Sequence, residues 1–175
     1  MFAYPLNGEA LDAFAGRNVT VYPVRNNMFE FPALQEMKRR PADVNMYFHV
    51  KGVSYDPSTT VGDCCRHWGQ FMLEILCREF DRCVNELRSG RADCVGSLFR
   101  QRPWPHYSGN FFMTSKAHLE KLGYADIRNR MNAESYIASC PGKYLSLFNN
   151  GYRDMHKEKE SLTNIELNPQ MFQVS

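Results

Sequence analysis

Residues 45–52 read Asn45-Met46-Tyr47-Phe48-His49-Val50-Lys51-Gly52. A short, nearly continuous apolar run closed by Lys-Gly predicts a buried strand of a largely parallel sheet. Side chains alternate along a strand, so His49 and Lys51 fall on one side at its end. Gly52 permits a sharp exit or a close backbone approach by a ligand. Downstream, 54–60 is a loop around Pro57, and Asp63 is placed to cap a helix. Trp68, Phe71, Met72, Ile75, Leu76 and Phe80 form one stripe at helical spacing, continued by Val84 and Leu87 and ended by Gly90. Residues 93–99 predict a second buried strand, 100–107 a loop rich in Pro, Arg and aromatics, and 111–113 a brief strand. Ser115 caps a helix over 116–122, and 132–139 is helical. Upstream, 18–24 predicts a strand. Asn27 is placed to cap a helix over 29–39, stopped by Pro41. Strands alternating with helices predict an α/β fold, a mainly parallel sheet flanked by helices. Ligands of such sheets bind beyond the carboxyl ends of the strands, where His49, Lys51 and the loop after Phe99 lie. Residues 1–150 are expected to form a single domain, and the polar 151–175 a peripheral tail.

The chain of 175 residues is long enough to bury a core, and its 13% aromatic content argues against disorder. No apolar run approaches the length of a membrane span, and the N-terminus has no signal-peptide pattern, so a cytoplasmic protein is expected. A net charge of +2 without a basic stripe argues against a dedicated nucleic-acid binder; Arg91, Arg100 and Arg102 are the lesser reading, since those charges sit beside Asp and Glu. Cys64, Cys65, Cys77, Cys83, Cys94 and Cys140 follow no zinc or disulfide pattern and are expected as reduced thiols. A zinc site on Cys64, Cys65 and His67 is the lesser reading.

Four patches can carry chemistry. His49 and Lys51 can hold a diphosphate, or be a core histidine and a solvated strand end. Residues 106–112, His-Tyr-Ser-Gly-Asn-Phe-Phe, can offer a sugar a hydroxyl, an amide and backbone groups, or be an ordinary turn. Aromatics such as Trp104 or Tyr107 can cover the apolar face of a pyranose. Glu134, in Asn-Ala-Glu-Ser-Tyr-Ile at 132–137, can deprotonate an acceptor hydroxyl, or simply suit a helix N-terminus. In Asn-Met-Phe-Glu-Phe-Pro-Ala-Leu at 27–34, Glu30 fits the helix dipole and needs no catalytic role.

Taken in order, these patches resemble a group of small glycosyltransferases and glycosyltransferase-like proteins of bacteria and large algal viruses. That group carries Asn-x-x-Glu-Phe-Pro-x-Leu, Tyr-x-His-x-Lys-Gly, a Trp-containing helix, Asp-x-x-Gly, His-Phe-Ser-Gly-Asn-Phe and Ala-Glu-x-Tyr/Trp-Ile. The matching residues are 27–34, 47–52, Arg66-His67-Trp68, 93–96, 106–112 and 133–137, so the resemblance covers roughly 26–140. It implies the A-type nucleotide-sugar glycosyltransferase fold, shortened at the N-terminus, since one strand and one helix precede the Tyr47 strand. A missing N-terminal segment or partner domain would account for that.

The implied activity moves a hexose or deoxyhexose from a nucleotide-sugar donor to a hydroxyl of a glycan acceptor. The alternative is a non-catalytic carbohydrate-binding or assembly protein derived from the same fold. Many A-type enzymes carry an Asp-x-Asp metal site, which this chain lacks. His49-Val50-Lys51 takes that place in the strand order. The resemblance therefore implies His49, Lys51 and Gly52 at the donor diphosphate with no metal site and no cofactor required, the alternative being Mn2+ or Mg2+ held through the diphosphate. Glu134 matches the general base of inverting members. Trp104, His106, Tyr107, Ser108, Gly109 and Asn110 are expected to line the sugar or acceptor pocket.

Overall fold

The computed structural model describes residues 2–3, 22–23, 30–49, 55–56, 58–124, 131–151, 153–160 and 165–175. The first strands, β1 (Phe2–Ala3) and β2 (Tyr22–Pro23), pair in parallel over two residues. Helix α1 (Phe31–Arg39) buries Phe31 and Leu34, three residues apart on one face. It leads into β3 (Val44–Tyr47), which begins one residue before the strand expected over 45–50 and ends at Tyr47, so His49 lies past it. The long predicted helix is two helices, α2 (Thr60–Arg78) and α3 (Phe80–Arg88), broken at Glu79. The break resets the stripe. Phe80, expected to face the core, is 46% exposed, and Cys83 and Leu87 are the buried residues of α3. The N-cap of α2 is Thr59 rather than Asp63, which lies in the first turn.

Then come β4 (Cys94–Gly96), β5 (Phe99–Arg100), β6 (His106–Tyr107) and β7 (Phe112–Ser115). Ser115 caps α4 (Lys116–Lys121) through its hydroxyl, as expected. Next are α5 (Met131–Ser135), which runs into a 3-10 turn (Tyr136–Ala138), and β8 (Gly142–Ser146). The last strand is β9 (Gln170–Val174), within the segment expected to be a peripheral tail.

The α/β class holds, but the sheet is not mainly parallel. Five strands run in the order β3-β7-β4-β8-β9, and only β4 and β8 pair in parallel. The β3–β7, β7–β4 and β8–β9 pairs are antiparallel. The expectation rested on unbroken apolar strands, which report cover on both faces. Here helices supply that cover without parallel pairing. In register across the sheet, Met46, Met113, Val95 and Leu145 line up and pack into or against the core under α2 and α3. The adjacent row, Thr114, Cys94, Tyr144 and Phe172, faces the other way. Cys94 and Tyr144 there join Phe31, Leu34 and Leu119 in a second core.

Gly96 has a packing reason. A Cβ there would lie 2.3 Å from Cδ1 of Tyr107, whose ring the β5–β6 ribbon lays against the sheet. Because β7 opposes both β3 and β4, the ends of β3 and β4 and the start of β7 share one sheet edge, where Tyr47 and Gly96 both pair with Phe112.

Candidate functional site

That edge brings several predicted patches together. His49, just past β3, places Nε2 2.8 Å from the carbonyl oxygen of Gly109, in the turn before β7. Its ring lies 5.6 Å from Phe111 and 6.1 Å from Tyr47. The turn needs unusual backbone. Gly109 has φ +82° and Asn110 φ +57°, in the left-handed region that Gly and Asn tolerate best. A Cβ on Gly109 would come 2.5 Å from Cε of Met72, so the turn lies directly on α2.

Glu30 is the residue that sequence reasoning passed over. It is the N-cap of α1 but makes no side-chain cap. Its Oε1 lies 3.6 Å from Nε2 of His49, and its Oε2 accepts from Nδ2 of Asn110. Burial and then the Glu30 carboxylate push the Tyr47 hydroxyl well above its ordinary value. One carboxylate thus faces both His49 and Asn110. No signal in the sequence marks it, because a glutamate in a first helical turn already suits the dipole.

Asn110 is 1% exposed and also donates from Nδ2 to the carbonyl of Ala133, 3.2 Å away. That bond ties the turn to α5, where Glu134 is the next residue, half-buried in the first turn. The His49, Ser-Gly-Asn and Ala-Glu patches therefore converge, with Glu30 among them.

Other expected site residues lie differently. Lys51 and Gly52 fall outside the described residues, as does Asn27. Tyr107 is fully buried, donates to the carbonyl of Leu145 at 3.1 Å and packs on Phe99, so it is core and not a sugar platform. Its place in the β5–β6 ladder turns the ring inward against Gly96. His106 is buried and donates from Nδ1 to the carbonyl of Trp104 at 2.7 Å. Trp104 is half-buried, and its Nε1 has no hydrogen-bond partner among the described residues. Ser108 donates its backbone N–H to Leu98, closing the turn.

Away from this edge, Cys65 Sγ lies 3.2 Å from Nδ1 of His156, whose ring meets Trp68 edge-on at 5.2 Å. No three His, Cys, Asp or Glu side chains are grouped to hold a metal among the described residues, so Cys64, Cys65 and His67 do not form the zinc set of the lesser reading. All six cysteines are free thiols. A cleft lined by Phe71, Phe148, Asn149, Arg153 and Glu160 opens elsewhere. No described helix is long and apolar enough to cross a membrane. Comparison of the chain with protein-family models, curated proteins and solved structures finds no match.

Proposed function

We propose that the chain is a glycosyltransferase of A-type kind that moves a hexose or deoxyhexose from a nucleotide sugar to a glycan hydroxyl. One observation carries this reading: Glu30, His49, the Gly109-Asn110 turn and the start of the Glu134 helix meet at one sheet edge. An acceptor-rich cluster next to the helix that carries Glu134 suits a hydroxyl-bearing substrate.

In this mechanism Glu134 takes the proton of the acceptor hydroxyl as its oxygen attacks the anomeric carbon. The bond from that carbon to the diphosphate breaks, and the nucleoside diphosphate leaves with the electron pair. Lys51, two residues beyond His49, supplies the positive charge that stabilises the leaving group. Glu134→Gln is expected to abolish transfer and leave donor binding intact, measured as nucleotide release and donor affinity. Near-normal release would remove Glu134 from the mechanism.

The function is tested by thermal shift and nucleotide release with UDP-, GDP- and dTDP-sugars, with and without manganese. Stabilisation by a donor with release of its nucleotide supports the transferase. Stabilisation by glycans without release of nucleotide from any donor supports the carbohydrate-binding alternative. No stabilisation by any sugar ends both.

A further inference from the structure

The two oxygens of Glu30 divide their work. Oε2 accepts from Asn110, and Oε1 faces Nε2 of His49. The same Nε2 faces the Gly109 carbonyl at 2.8 Å. Two acceptors against one ring nitrogen require the hydrogen to be on it, so Nε2 is the donor. In the neutral ring Nδ1 is then an acceptor, with no hydrogen-bond partner among the described residues, on a side chain 25% exposed. Asn110 shows the same split. Its Nδ2 is spent on two acceptors, Glu30 and Ala133, which fixes the amide orientation. Its Oδ1 is buried with no partner among the described residues. That acceptor bears its desolvation cost closed off from solvent, so the partly exposed member of the pair is His49.

We propose that Glu30 is a positioning residue that holds His49 so that its Nδ1 accepts a hydrogen bond from a hydroxyl of a sugar, with Asn110 fixing the turn beside it. The inference rests on the sugar-handling reading of the site. It moves His49 from the diphosphate, where the resemblance placed it, to the sugar. A phosphate would meet a carboxylate and further acceptors here, whereas a hydroxyl brings the missing hydrogen.

The test is 15N-detected NMR of the histidine rings, with only five histidines to assign. The probes are UDP-glucose, UDP-galactose, GDP-mannose, GDP-fucose and dTDP-rhamnose, each against UDP, GDP or dTDP alone. The free protein is expected to show the His49 hydrogen on Nε2 alone, with Nδ1 bare. A sugar nucleotide that binds is expected to move the Nδ1 resonance, and the bare nucleotide to leave it in place. Glu30→Gln is expected to weaken the sugar nucleotide by roughly tenfold while the bare nucleotide binds as before. A free protein with the His49 hydrogen on Nδ1 overturns the inference without any variant. So does an equal Nδ1 shift with bare nucleotide, and that result leaves the transferase standing with His49 on the diphosphate. Binding of none of the probes overturns this inference together with the transferase.

Discussion

At the scale of single residues, the chain shows which polar and small side chains packing dictates and which it leaves over. Gly96 is dictated. Gly96→Ala would put a methyl 2.3 Å from the Tyr107 ring and 2.8 Å from the Phe111 carbonyl, both buried. The expected cost is about 1–3 kcal/mol by urea unfolding, and an unchanged midpoint would refute the packing account. His118 is also dictated. It is fully buried, its Nε2 donates to the Ile137 carbonyl at 2.8 Å, and burial holds its pKa below the ordinary value, against the opposing pull of that bond and of Asp93. The folded state therefore resists protonation, so stability is full above the ordinary histidine pKa of about 6.5 and falls as pH drops below it. The other groups facing His118 are Asp93, Lys121, Cys140 and Tyr144. The Asp93 carboxyl, held low by the Lys143 backbone N–H and by Lys121 against the cost of burial, adds its own loss only at lower pH. A stability profile from pH 8 to 5 should decline in the wild type and flatten in His118→Asn. A flat wild-type profile would refute this. Of the candidate site, His49, Asn110 and Glu134 were legible as residue types at expected strand ends and turns. Glu30 was not, because a glutamate in a helix's first turn already has a sufficient explanation in the dipole. Tyr107 misled for the opposite reason: an aromatic beside Ser-Gly-Asn looks like a sugar platform until pairing with Phe99 turns it inward.

At the scale of elements, existence was easier to foresee than boundaries or direction. The stripe from Trp68 to Leu76 announces α2, because apolar residues at helical spacing have one economical fold. The break at Glu79 carries no such mark, since neither Gly nor Pro stands there. The start of α2 depends on local chemistry. The Thr59 hydroxyl accepts from the Gly62 N–H at 3.1 Å and donates to the Asp56 carbonyl at 2.7 Å. Thr59→Ala loses both and is expected to cost about 1 kcal/mol, read as a lower urea midpoint with an unchanged slope. Thr59→Asp, which keeps the cap acceptor, should recover most of the loss. If Ala and Asp destabilise equally, the cap is not what holds the start of α2. Strand direction was the larger miss. Cys94 to Gly96 are buried on both faces, but β7 is too, and it runs antiparallel to its neighbours. Burial pattern reports cover and is silent on direction.

At the scale of the whole molecule, two cores back onto one sheet, and the sheet must end somewhere. Toward the C-terminus it ends at β9, which has one exposed face and one covered face: Met171 is 45% exposed, and Phe172 packs at 5.2 Å from the ring of Phe99. Phe99 in turn stacks on Tyr144 at 5.0 Å, so β9 closes an aromatic group that reaches to the middle of the second core. The segment looked peripheral because its residues are mostly polar, which is what a one-faced edge strand requires. Ending the chain at Pro169 would expose the backbone groups of β8 along a five-residue ladder and uncover Phe99. The truncated protein is expected to unfold at lower urea and to associate with rising concentration, because an unprotected strand edge recruits another. Sedimentation velocity and urea unfolding together check this, with Met171→Lys on the exposed face as the control that should stay within about 0.5 kcal/mol of the wild type. If the truncated chain matched the wild type in both measurements, β9 would contribute nothing to the second core, and the aromatic contact through Phe172 would be incidental.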